Sequence, residues 1–174
     1  PAGGISCTIH VFLICMEPWS ISVRMRSRRN CGRGWLCFMH IMRLYEGTKE
    51  MLSEVKNSGR KIYLLSNAQR IFTEYEMNAL EITKYFDGIF VSSDEGCKKP
   101  DLKFFRKLID SCKIVPERAV MVGNDGICDV EGAKNAGLST LYVHTDISPK
   151  GEKPEADFVL DHMDMKRITE ILMS

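Results

Sequence analysis

From Leu44 to the end of the chain, segments with strand and helix patterns alternate, and this order constrains the fold more than any other feature. The strand segments are short apolar runs in which hydrophobic and polar residues do not alternate. Such runs are typical of strands that are buried on both faces. They are KIYLL, GIFVS, AVMV and STLYV, with DFVL as a further candidate, at residues 61–65, 88–92, 119–122, 139–143 and 157–160.

Helices are predicted between these strands from apolar residues at helical spacing. They span residues 47–58, 68–80, 101–112, 129–136 and 163–173. Strict alternation of strand and helix predicts an α/β fold, a parallel sheet with helices on both faces. Ligands of such folds bind at the carboxyl ends of the strands, so the polar residues just beyond each strand are the candidate site.

Polar clusters follow the first two of these strands. Ser66 and Asn67 open the helix after the first strand, where a hydroxyl and backbone N–H groups can bind an anion. Both residue types are also common helix caps, which is the alternative interpretation. Lys99 precedes Pro100 beyond the second strand and can supply positive charge to a phosphate, although most lysines are solvated surface groups.

A third cluster follows the AVMV strand and contains Asn124, Asp125 and Asp129. Carboxylate and amide oxygens grouped in this way suit a hard cation such as Mg²⁺. The alternative is a helix cap formed by Asp129. We favour the cation site.

The three clusters in this order resemble the haloacid dehalogenase (HAD) superfamily over residues 44–172. YLLSNAQR is similar to motif II of that family, GCKKPD to motif III and MVGNDGICDVEGAKNAG to motif IV. The resemblance implies a HAD-like fold and Mg²⁺-dependent hydrolysis of a small phosphorylated metabolite. It implies that Ser66 and Lys99 are the catalytic residues that hold the phosphoryl group, with Asn67 in substrate binding. It places Asn124, Asp125 and Asp129 in the metal-binding stretch.

The family's motif I, Asp-x-Asp at the end of an apolar strand, is not present, because no aspartate precedes Asp87. The first of those aspartates is the nucleophile and the second the general acid and base. The nearest candidate is the apolar run 9–15, which places Cys15 and Glu17 at the two positions. We therefore predict little or no turnover. The alternative is a non-catalytic phosphate- or metal-binding pseudoenzyme, or a truncated fragment.

In the HAD arrangement the first strand lies in the middle of the sheet, between the strands that bear Ser66 and Asp125. We expect residues 9–15 to take this position, since its loss would leave buried backbone groups unpaired. About thirty residues separate Cys15 from Gly47, so a full cap domain is expected to be absent.

Residues 1–38 differ from the HAD-like core predicted for residues 39–174. Five arginines lie in the interval Arg24–Arg33 among serine, asparagine and glycine. One interpretation is a basic arm that binds nucleic acid. We favour a disordered or non-native segment, because no aromatic stacking residues or binding fold accompany the arginines. The first residue is Pro1 rather than Met, which indicates an incomplete or processed product.

The amino-acid composition limits the functional classes and cellular locations that the sequence allows. The net charge of +1 gives no global argument for nucleic acid, and no run approaches the ~20 apolar residues that span a bilayer. Seven cysteines without a paired framework predict reduced thiols and a cytoplasmic location. The sequence does not predict an oligomeric state.

Overall fold

The computed structural model describes residues 11–14, 19–25, 38–151 and 154–174 of the chain. Its strands are β1 (Val11–Ile14), β2 (Trp19–Met25), β3 (Phe38–Leu44), β4 (Lys61–Ser66), β5 (Gly88–Val91), β6 (Ala119–Gly123), β7 (Ser139–Val143) and β8 (Phe158–Leu160). Its α-helices are α1 (Thr48–Asn57), α2 (Arg70–Ala79), α3 (Ser92–Glu95), α4 (Leu102–Cys112), α5 (Gly132–Asn135) and α6 (Met165–Met173). A π-helical segment, Gly126–Glu131, leads directly into α5.

Six strands form one parallel sheet in the order β5-β4-β1-β6-β7-β8. Because all six run in the same direction, their carboxyl ends lie along one edge of the sheet. The α/β class with a parallel sheet, predicted from the alternation of elements, is confirmed.

Both faces of the sheet are covered, as strand β4 shows. Ile62 and Leu64 belong to a core cluster that includes residues of α1 and α6. Tyr63 and Leu65 belong to a second cluster, which includes residues of α4 and α5. Since successive side chains of a strand point to opposite faces, a strand between two helical layers must be apolar at every position. This requirement explains the continuous apolar runs.

Strand β1 lies between β4 and β6 in the middle of the sheet. Leu13 pairs in parallel register with Tyr63 on one side and Met121 on the other. This is the position expected for residues 9–15. Strand β1 therefore joins the two strands that carry Ser66 and Gly123 at their carboxyl ends.

Strands β2 and β3 pair antiparallel in a separate two-stranded sheet, with Trp19 opposite Leu44 and Met25 opposite Phe38. Neither strand was predicted from the sequence. The alternation of Trp, Ile, Val and Met with Ser, Ser and Arg over residues 19–25 is a strand pattern, but it lies beside arginine-rich sequence and is seven residues long. Apart from β1, β2 and Phe38, the interval 1–38 lies outside the described residues, and the division of the chain at residue 38 stays a prediction.

Within the described part of the chain, no helix combines the length and the apolar character needed to cross a membrane.

Candidate functional site

A buried ion pair lies at the carboxyl edge of the sheet. Lys99 Nζ is 2.9 Å from Asp129 Oδ1, and the two side chains are 5% and 3% exposed. Lys99 follows β5 and α3, whereas Asp129 belongs to the π-helical segment after β6. Two charges withdrawn from water in this way stabilise each other only when they remain together. The pair therefore fixes the position of the lysine ammonium group.

The backbone of Lys99 is held by the side chain of Asn67. Asn67 Nδ2 donates to the carbonyl oxygen of Lys99 at 3.0 Å, and the Lys99 N–H donates to Asn67 Oδ1 at 2.8 Å. Asn67 directly follows Ser66 at the end of β4. The loop after β4 and the segment after β5 are thus joined by two hydrogen bonds at the residue that supplies the buried charge.

Asp129 also organises the turn that follows β6. Its Oδ2 accepts hydrogen bonds from the backbone N–H groups of Asn124 at 3.0 Å and Asp125 at 3.1 Å. This close approach requires Gly123, because a Cβ at that position would overlap the Asp129 side chain. Both oxygens of Asp129 are therefore engaged within the protein, one by Lys99 and one by this turn.

Asp125 caps the π-helical segment. Its Oδ1 accepts hydrogen bonds from the N–H groups of Ile127 at 3.0 Å and Cys128 at 2.7 Å. The residue is half-buried, so part of it is open to solvent at the sheet edge. Burial raises the pKa of the Cys128 thiol, and the carboxylates of Asp125 and Asp129 raise it further. At neutral pH the thiol is consequently protonated and a poor nucleophile.

Asn124 contacts Thr145, which was not among the site residues predicted from the sequence. Its Nδ2 donates to Thr145 Oγ1 at 3.1 Å, and the Thr145 N–H donates to Ser148 Oγ at 3.0 Å. Thr145 lies two residues beyond β7, at the same edge of the sheet. Applying the rule for polar residues beyond strand ends to STLYVHT would have found it.

Ser66 ends β4 and is 6% exposed. Its hydroxyl makes no hydrogen bond to the described residues. The other predicted site residues form one continuous hydrogen-bonded chain. It runs from Asn67 through Lys99 and Asp129 to the backbone of Asn124 and Asp125. Cys15 and Glu17, the candidates for the motif I positions, lie outside the described residues.

The residues at this edge can supply some of the ligands of a Mg²⁺ ion. Among the described residues, no group of three or more His, Cys, Asp or Glu side chains could hold a metal ion. Asp125 offers a half-buried carboxylate. Asn124 donates through its Nδ2 to Thr145, so the Oδ1 of Asn124 can act as an acceptor or a metal ligand. Mg²⁺ is commonly bound by one or two carboxylates together with water and substrate phosphate. The set is thus adequate for Mg²⁺ that arrives with a phosphate group.

Comparison with known families agrees with this arrangement of strands and motifs. A family model described as haloacid dehalogenase-like hydrolase matches residues 37–143. The chain belongs to this family. The match includes β4, β5 and β6 and every site residue predicted from the resemblance.

Curated relatives include phosphatases. The chain is 31% identical over 108 residues to the glyceraldehyde 3-phosphate phosphatase of Methanothermobacter thermautotrophicus, an alignment that covers 62% of this chain and 48% of that protein. It is 29% identical over 125 residues to the phosphoserine phosphatase of Thermus thermophilus, covering 72% of this chain and 49% of that protein. The chain spans about half the length of the curated relatives it matches.

Solved structures share the HAD-like fold. An uncharacterized protein from Listeria monocytogenes serotype 4b superposes with a TM-score of 0.72 and 24% identity, covering 95% of this chain and 97% of that chain. The putative HAD-hydrolase YfnB from Bacillus subtilis, bound to magnesium, gives a TM-score of 0.66 and 21% identity, covering 74% of this chain and 56% of that chain. At these identities the likeness establishes the fold alone.

Proposed function

We propose that this HAD-like chain binds the phosphoryl group of a small phosphate ester together with Mg²⁺, and that its capacity for hydrolysis is low. The single observation that carries the proposal is the buried Lys99 ammonium, which is paired with Asp129 at the sheet edge and whose backbone is hydrogen-bonded to Asn67, the residue after Ser66. A phosphoryl group at this edge would receive positive charge from Lys99 and a hydrogen bond from the Ser66 hydroxyl. Sequence similarity to two named phosphatases supports a phosphate ester as ligand.

Within this proposal Asp125 and Asn124 hold the cation. Mg²⁺ held by these residues would neutralise phosphate charge and help to orient the phosphoryl group. Asp129, whose two oxygens are engaged within the protein, acts through Lys99 and through the turn that presents Asp125. Asn67 has the same indirect function, because both polar atoms of its side chain bind the Lys99 backbone.

Low turnover follows from the sequence at the end of β1. Family members place an aspartate nucleophile there, whereas this chain has no aspartate before Asp87. Ser66 and Lys99 can bind and orient a phosphoryl group but cannot replace a nucleophile that attacks phosphorus. The limiting case of this proposal is a phosphate-binding protein without catalysis. A reducing, cytoplasmic location is also part of the proposal, supported by the free thiols of Cys97, Cys112 and Cys128.

Calorimetry separates phosphate binding from catalysis. Inorganic phosphate is titrated into the purified full chain with and without Mg²⁺. We expect saturable binding that tightens with Mg²⁺, since the cation and the phosphate share the site. Asp125→Ala should abolish the Mg²⁺ effect, whereas Asp110→Ala, at an exposed position on α4, should not change it. No saturable phosphate binding by a folded chain would refute the proposal.

Hydrolysis of p-nitrophenyl phosphate then measures the chemistry. We expect the rate of the unmodified chain to be indistinguishable from that of Asp125→Ala. Turnover that Asp125→Ala abolishes would instead demonstrate a working metal site and contradict the prediction of low activity. If Cys15→Ala also abolished that turnover, the nucleophile would be assigned to the end of β1.

A further inference from the structure

A cavity of about 810 Å³ opens at the carboxyl edge of the sheet, and its lining includes Asn67 and Lys98, the chain neighbours of Ser66 and Lys99. One wall is the loop after β4 and the first turn of α2, beginning at Asn67. The other wall is the start of α3 and the segment that ends at Lys98. The two walls thus begin one residue after Ser66 and end one residue before Lys99. Its volume is in the range of small-molecule sites.

The charges that line this cavity are positive. Its lining contains two basic residues, Arg70 and Lys98, and no acidic residue. Arg70 is neutralised from outside the cavity: its guanidinium contacts Asp94 and Glu74 and donates to the carbonyl oxygen of Ile89. Lys98 is exposed, and no described residue forms an ion pair with it. Its charge can therefore interact with a ligand in the cavity.

Further polar groups of the lining are also available. Gln69 is exposed and precedes α2 without making a side-chain cap hydrogen bond to that helix. The first turn of α2 carries the positive end of the helix dipole towards the same space. Ser92, by contrast, donates its hydroxyl to the carbonyl oxygen of Ala68 at 3.3 Å, so this hydroxyl joins the two walls of the cavity. Ile71, 71% exposed, provides an apolar surface at one side.

We propose that this cavity binds the part of the phosphate ester that leaves with the ester oxygen. Lys98 and Gln69 would select a small leaving group that carries a second anionic group, such as a carboxylate. The inference rests on the proposed function, because it requires the phosphoryl group to lie between Ser66 and Lys99. Asn67 and Lys98 lie on the two walls and are chain neighbours of Ser66 and Lys99, and two hydrogen bonds join the Asn67 side chain to the Lys99 backbone. A positively charged ligand would be repelled by Lys98.

The test compares two esters that differ in one group. Binding of glycerol 3-phosphate and of 3-phosphoglycerate to the full chain with Mg²⁺ is measured by calorimetry, alongside inorganic phosphate. We expect 3-phosphoglycerate to bind about five-fold more tightly, the effect of one partly solvated ion pair. Lys98→Gln should reduce this ratio to about one. Lys103→Gln, which removes the same charge from an exposed position on α4, should leave the ratio unchanged.

The outcomes distinguish this inference from the proposed function. If inorganic phosphate binds but the two esters bind equally, or if Lys98→Gln keeps the ratio, the cavity does not select an acidic leaving group. If inorganic phosphate itself fails to bind, both proposals are overturned. An equal loss of the ratio in Lys103→Gln would assign it to net charge rather than to the cavity.

Discussion

Replacing Asp129 with alanine tests the ion pair on which the site depends. Asp129→Ala leaves the Lys99 ammonium without its carboxylate at a position where the side chain is 5% exposed. Removing one partner of a buried pair costs about 3–5 kcal/mol, because the remaining charge loses its close opposite charge in a place from which water is largely excluded. The backbone N–H groups of Asn124 and Asp125 also lose their acceptor, but both residues are half-buried and water can replace part of that loss. We expect a total loss of about 4 kcal/mol, a large fraction of the ~5–15 kcal/mol typical of a domain.

Urea unfolding followed by circular dichroism measures this loss as a change in the free energy of unfolding. Asp110→Ala is the matched control and should change stability by less than about 0.5 kcal/mol, because it is an exposed helical position. The double variant Lys99→Met with Asp129→Ala removes both charges and should be more stable than Asp129→Ala alone. The reasoning would be wrong if Asp129→Ala cost less than about 1 kcal/mol, or if the double variant were less stable than the single one.

Two further predictions concern the hydrogen bonds around the sheet. Asn67→Ala removes both bonds to the Lys99 backbone and should weaken phosphate binding roughly five-fold in calorimetry. Asn57→Ala, at an exposed position on α1, is the control. Equal phosphate affinities of Asn67→Ala and the unmodified chain would refute the positioning role of Asn67. Burial raises the pKa of Asp87, but bonds from two lysines and a backbone N–H outweigh it and hold the pKa below 3.8. The stabilisation from Asp87 is therefore present above pH 3.8 and lost as the pH falls through the lower pKa of the folded state. In urea unfolding, Asp87→Asn should be less stable than the unmodified chain at pH 7, and the difference should narrow below pH 3.8; a constant difference would contradict this account.

The sheet was predictable because its signal is local. A strand between two helical layers must be apolar on both faces, and KIYLL meets that condition within five residues. The hairpin of β2 and β3 was missed for the opposite reason. Trp19 pairs with Leu44, 25 positions away, and only the first of the two strands carries an alternating pattern of its own. Its seven-residue alternation is also short, and the arginines that follow it favoured an irregular interpretation.

At the site, positions were predictable but contacts were not. Ser66, Lys99 and Asp125 follow successive strands, and a parallel sheet necessarily brings such positions to one edge. The partner of each side chain depends on loop geometry across 30 residues or more, as for Asn67 with Lys99 and Lys99 with Asp129. The contacts of Asn67 with the Lys99 backbone could not be read from the sequence in this way, and its role in substrate binding stays a prediction.

The central position of β1 separates the requirements of the fold from those of the chemistry. Strand β1 is held by backbone pairing with β4 and β6, and a short apolar run such as VFLI is sufficient for that pairing. Nucleophilic attack depends instead on one side chain just beyond the strand, at a position that backbone pairing does not constrain. The groups proposed to bind phosphate, Ser66 and Lys99, come from β4 and from the segment after β5. Binding can consequently persist in this family member when the aspartate at the end of β1 is replaced, and loss of hydrolysis alone would not argue against a phosphate site.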